Sequence, residues 1–130
     1  MEEKYNSLRE KIFEYVSKTY QSEIEFPWIK FPNYCVFRHK KNKKWYGLIM
    51  DIPYAKLGVD KKGIADVLNV KIDDFMLKEF LITQNGIYNG YHMSHDKWIS
   101  VLLDGTVDIN QIYDLINISF VATSKITKNN

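Results

Sequence analysis

Apolar side chains at Tyr5, Leu8, Ile12, Val16 and Tyr20 recur at spacings of three and four. That places them along one side of a helix and predicts an amphipathic first helix over 4–20, with Glu2 and Glu3 at the positive end of its dipole. From Glu23 to Pro32 the period is lost. Pro27 and Pro32, five apart, exclude a regular helix and a central strand, so this stretch reads as an extended segment anchored by Phe26 and Trp28. Two β-prone runs follow, 34–38 and 45–50, separated by the polar stretch 39–44; together they predict a hairpin with a cationic tip. Pro53 ends the second run, 57–63 is a loop with two turn-forming glycines, and 64–71 is a third strand.

Either Asp73 or Asp74 can cap a short helix reaching Phe80, because a carboxylate there accepts N–H bonds from the first turn. Asn85-Gly86 and Asn89-Gly90 bracket a short segment around Ile87 and Tyr88, and 98–103 is the last strand, closed by Asp104-Gly105. Asp108, with Gln111 three residues on, resembles a capping box. Ile109, Ile112, Tyr113, Ile116 and Phe120 then form the inward stripe of a C-terminal helix, and 124–130 reads as a frayed polar tail. The order α-β(3)-α-β(2)-α, without repeats, predicts a two-layer α+β fold: a largely antiparallel sheet with helices packed on one face.

The chain has 130 residues, 45% of them apolar, which suits one domain spanning 1–130 and excludes a disordered or collagen-like polypeptide. Its net charge of +2 hides an uneven distribution. Arg38, Lys40, Lys41, Lys43 and Lys44 fall within seven positions, and the other 123 residues carry 13 bases against 16 acids. Cys35 is the only cysteine, so no internal disulfide can form and a reducing cytoplasm is the expected compartment. The N-terminus lacks the pattern of a signal peptide, and no uncharged run is long enough to span a membrane.

Little in the sequence nominates catalysis. There is no GxSxG elbow, phosphate-binding glycine loop or dinucleotide fingerprint, so the protein is expected not to be an enzyme and to need no cofactor. His92 and His95, with Asp96 adjacent, are metal-ligating residue types, but they lack the HExxH pattern and a cysteine pair; loop hydrogen bonds or ligand contact explain them better, and no metal is expected. Cys35, inside an alternating strand, reads as a half-buried inert thiol. The basic hairpin tip, His39 included, could meet phosphates without moving the core; its competing reading is a solvated end that discourages sheet aggregation.

The segment Gly90-Tyr91-His92-Met93-Ser94-His95-Asp96-Lys97-Trp98-Ile99-Ser100-Val101, followed by Leu103-Asp104-Gly105, resembles the signature of the MmcQ/YjbR family of small bacterial proteins. Leu68 to Asp73, Pro27-Trp28, Leu115-Ile116 and Ser119-Phe120 fit the same pattern, so the resemblance runs from about residue 26 to 121. Asn89, Ile72 and Phe120 depart from it, where proline, cysteine and tyrosine are usual. The resemblance implies a fold similar to the secretion chaperones and to CyaY, and a DNA-binding role through β-hairpin wings, with Lys71, Tyr91, His92, Lys97 and Trp98 at matched positions.

Two functional expectations result. In the first, Arg38, Lys40, Lys41, Lys43 and Lys44 sit on the phosphates of double-stranded DNA, and Lys71, His92 and Lys97 form a second cationic surface. In the second, Tyr91, His92 and Trp98 line a pocket for a protein or small-molecule partner, and the lysines serve solubility alone.

Overall fold

The computed structural model describes the backbone of residues 2–124 and the side chains of 8–124. The side chains of Glu2, Glu3 and Tyr5, and the tail beyond Ser124, lie outside those described residues. Helix α1 spans Glu2–Tyr20. Its end is fixed by Gln21 in the left-handed region (φ 54°), which turns the chain out of the helix, and by Ser22 N–H donating back to the Val16 carbonyl at 3.3 Å. The strands are β1 (Ile24–Glu25), β2 (Cys35–Arg38), β3 (Trp45–Pro53), β4 (Ile64–Lys71), β5 (Ile87–Asn89) and β6 (Trp98–Leu102); helices α2 (Phe75–Leu81) and α3 (Ile109–Thr123) complete the order.

All six strands join one antiparallel sheet in the order β1-β2-β3-β4-β6-β5. The α+β expectation holds, with one refinement: the proline-flanked segment contributes a two-residue edge strand, β1, pairing Ile24 with Phe37. Proline is tolerated next to an edge because one side of the strand has no ladder to complete. Phe26 anchors less than expected. Its ring meets Phe13 edge-to-face at 6.4 Å but remains 52% exposed.

Strand alternation divides the sheet between two cores. On one face Ile12, Val16, Ile112 and Ile116 of the terminal helices cover Cys35, Phe37, Ile49, Leu68, Ile99 and Val101. Across the helix pair, Tyr15 stacks on Tyr113 at 4.1 Å, and Tyr20 stacks on Phe120 at 3.8 Å. Asp66, buried on this face, receives the Arg9 guanidinium through two hydrogen bonds of 2.6 and 3.1 Å.

The opposite face is not bare. Val36, Leu48, Met50, Ala65 and Val67 form a second core, roofed by Trp28, Tyr34, Leu57, Tyr91 and Met93 from the connections and by Tyr88 of β5.

Local chemistry accounts for most boundaries. Asp74 caps α2 by accepting from Leu77 N–H at 3.0 Å. Asp108 caps α3 through Asn110 N–H at 2.9 Å, one position nearer than a capping box would place it. Gly47 lies under the Phe37 ring: a Cβ there would come within 2.5 Å of it, so only glycine lets that ring cross the strand. Cys35 is fully buried rather than half-buried. Burial pushes its thiol up to about 11, which removes the thiolate that reactivity requires. Among the described residues no helix is long and apolar enough to cross a membrane.

Candidate functional site

Because neighbouring strands run antiparallel, β2 and β4 finish, and β3 and β6 begin, at the same end of the sheet, where β5 also finishes. The 39–44 tip, Lys71 and the 90–97 loop therefore share one rim. Strands lie about 4.8 Å apart, so the tip and the start of β6 are separated by roughly three strand spacings.

The tip is a rigid element. His39 N–H donates to the Lys44 carbonyl at 2.9 Å and Lys43 N–H to the His39 carbonyl at 3.1 Å, while the Asn42 side chain accepts from Lys44 N–H at 2.8 Å and donates to the Thr123 carbonyl at 2.9 Å. Lys43 takes the left-handed conformation (φ 65°), which glycine adopts at no steric cost and other residues adopt at about 1 kcal/mol or more. Lys40, Lys41, Lys43 and Lys44 are exposed.

Two neighbours behave differently from the sequence expectation. His39 does not face phosphates: it is 6% exposed, hydrogen-bonded through Nε2 to the Thr123 hydroxyl at 2.7 Å and packed on Phe120 at 4.2 Å. Burial, together with the nearby Lys44 charge, holds its pKa below the ordinary 6.5. Arg38 is held by Glu25 at 2.9 Å, by the Lys43 carbonyl at 3.0 Å and over the Trp45 ring at 5.7 Å, so its guanidinium braces the hairpin.

Register explains how the rim is joined to the core. Phe37 pairs with Gly47 but Arg38 with Trp45, which leaves Tyr46 as the extra residue of a β-bulge. The β3–β4 ladder opens beside it. There the Ser119 hydroxyl of α3 donates to the Tyr46 carbonyl at 2.8 Å and accepts Lys71 N–H at 2.8 Å, bridging the two strands. Beyond the bulge the second face carries Arg38 opposite Trp45 and Lys71 opposite Trp98, an alternation of cation and aromatic along the rim. Lys97 forms an ion pair with Asp73 at 3.6 Å, both partners largely exposed.

The 90–97 loop is wired to the sheet from below. Tyr91 N–H donates to Ser100 Oγ at 2.8 Å, that hydroxyl donates to Asn69 Oδ1, and Asn69 Nδ2 meets Met50 Sδ at 3.4 Å. Asn69 and Ser100 are fully buried, so this chain satisfies polar groups that would otherwise cost stability. Gly90 is squeezed by Trp98, whose Cβ would stand 2.8 Å from any side chain added there. His92, like Lys43, is left-handed (φ 59°) and exposed.

Two cavities flank the loop. One, of about 270 Å³, is walled by Trp28, Phe31, Tyr34, Trp45, His92 and Met93. The other, of about 480 Å³, follows β5 and takes in Tyr91, His92 and His95. Trp98 lines neither of them. Among the described residues no three His, Cys, Asp or Glu side chains gather as metal ligands.

The sequence model of the YjbR family matches residues 17–122, a span that contains the hairpin, the Ser119 bridge and the whole 90–97 loop. The chain belongs to the YjbR family. The Bacillus subtilis (strain 168) protein YyaQ is 44% identical over 115 residues, covering 88% of this chain and 97% of YyaQ. A crystal structure of a Pseudomonas syringae protein superposes with a TM-score of 0.84 at 42% identity, over 88% of this chain and 97% of that one. A Deinococcus radiodurans protein at 23% identity has a TM-score of 0.69 over 92% of this chain and 82% of its own, and shares the fold.

The YjbR loop is thus built from more residues than its signature displays. Asn69 and Ser100 within the matched pattern carry it from below, and Lys78 lies outside that pattern: buried on α2, it donates to Asn89 Oδ1 at 2.7 Å and fixes the end of β5. The available signal was a polar residue interrupting an apolar strand or helix stripe. Sequence alone does not say which distant group such a residue meets.

Proposed function

We propose that this YjbR protein binds double-stranded DNA, with Lys40, Lys41, Lys43 and Lys44 on one stretch of backbone phosphates and Lys71 and Lys97 on the next. The observation that carries the reading is topological: antiparallel pairing brings the hairpin tip, the end of β4 and the start of β6 to one rim. Phosphate binding rewards cations held on a rigid frame, because less side-chain and loop entropy is lost on contact. The hydrogen bonds of Asn42 and His39 to Thr123 supply such a frame. Lysine in a left-handed position at the tip supports it further, since local strain that glycine would relieve is characteristic of functional sites. Arg38 acts in this scheme as a brace, while Trp45 and Trp98 offer apolar surface beside the cations.

The test is fluorescence anisotropy with a labelled duplex at low salt. Replacing Lys41, Lys43 and Lys44 together by Glu, with folding verified by circular dichroism, should abolish binding. Unchanged affinity in that variant, or no binding by the natural sequence, refutes the reading.

A further inference from the structure

The cavity along β5 has a composition unlike the lysine rim. About 480 Å³ in volume, it is lined by Lys56, Tyr91, His92 and His95 around the apolar side chains of Ile82 and Ile87. No carboxylate lines it among the described residues. An open cleft that mixes apolar side chains with a few hydrogen-bonding groups combines what small-molecule sites use to hold and orient a ligand. The donors come from separate segments, Lys56 following β3 and the two histidines preceding β6, so folding alone brings them together.

The site is also held in shape before any ligand arrives. Gly90 N–H donates to the Trp98 carbonyl at 2.9 Å, Trp98 N–H to the Ser94 carbonyl at 3.0 Å, and Tyr91 N–H to the buried Ser100 hydroxyl at 2.8 Å. His92 remains left-handed within this frame, its ring 4.1 Å from that of Tyr91 and tilted by 55°. Such an angled pair can take the edge or face of a flat ring, while an ammonium and imidazole N–H groups select an oxyanion.

We propose that this cavity binds a small organic anion: a phosphate or carboxylate carried on a flat apolar body. The ligand is a free small molecule, bound apart from the lysine tip that the DNA reading places on backbone phosphates.

The full-length protein, labelled with 15N, is titrated with phenyl phosphate, and in parallel with inorganic phosphate and with phenol. Saturable shifts clustered over residues 87–95 are expected for phenyl phosphate, with each half-ligand at least about ten-fold weaker, since charge-assisted bonds and apolar burial must act together. The His92→Ala/His95→Ala variant should weaken phenyl phosphate by at least about ten-fold, and so should Lys56→Ala, which lies on another segment and guards against a folding artefact. The Lys41→Glu/Lys43→Glu/Lys44→Glu variant should leave it unchanged, so the outcome is independent of DNA binding at the tip. Lack of saturation by about 10 mM, a level where even millimolar sites fill, overturns the proposal. So does equal binding of phenol, natural affinity in either cavity variant, or loss of binding in the tip variant.

Discussion

Replacing Ser119 by Ala removes one oxygen from the interior and should loosen the rim. The Ser119 hydroxyl is fully buried and serves both the Tyr46 carbonyl and Lys71 N–H, each at 2.8 Å. Without it a buried acceptor on β3 and a part-buried donor on β4 lose their partners at the point where the ladder is already interrupted by the bulge. An unsatisfied buried group costs about 1–3 kcal/mol. The Lys71 side can recover part of that from solvent, because the residue is only half-buried, which gives a total of about 2–3 kcal/mol. Urea unfolding measures it as a fall in midpoint at constant m-value. Hydrogen exchange should show faster exchange at Lys71, with little change at the distant β1–β2 pairing. A loss below about 0.5 kcal/mol, the level of an ordinary surface substitution, would mean that the strands close on each other without the hydroxyl, and the bridging role would be refuted.

Other consequences can be checked in the same material. His39 is buried with its pKa depressed, so the unfolded chain takes up a proton that the folded one resists. Stability is complete above the ordinary 6.5 and falls, by at most about 1.4 kcal/mol per pH unit, as pH drops through the window between that value and the folded pKa; His39→Gln should flatten this part of the profile in denaturation curves taken from pH 8 to 5. Arg9→Met strands the Asp66 carboxylate, itself 2% exposed, and should cost about 3 kcal/mol in urea unfolding; a loss below about 1 kcal/mol would remove that ion pair from the account. Lys43→Gly relieves the left-handed backbone at φ 65° and should leave stability equal or higher by up to about 1 kcal/mol while weakening DNA binding in anisotropy.

Elements that depend on local chemistry were legible in the sequence. The β4 span 64–71 agrees with its observed bounds, and the Asp74 and Asp108 caps form where carboxylates precede apolar stripes. Strand β3 runs three residues past the expected 45–50, because Asp51, Ile52 and Pro53 find partners in Asp66, Ala65 and Ile64, a pairing that no local pattern encodes. The cationic tip was visible as a charge run, but its attachment was not. His39 and Thr123 are 84 positions apart, and only the folded chain shows that the histidine belongs to the core. The same holds for Asn69 with Ser100 and for Ser119 with Lys71, which are 31 and 48 positions apart. A single polar residue in an apolar run announces a buried hydrogen bond without naming its partner. The signature loop was located by its residues, whereas its cavity also needs Lys56 and Ile82 from elsewhere in the chain.

The central claim is that one rim of the sheet, formed where β2, β3, β4 and β6 meet at a common end, is the surface that meets DNA. Titrating unlabelled duplex into the 15N-labelled protein at low salt and mapping the amide shifts tests it most directly. Shifts concentrated at 39–45, 71–73 and 94–98 are expected, reversed by salt as phosphate contacts are displaced. Shifts confined to the opposite end of the sheet, at 54–63 and 103–107, or none at all, would contradict it.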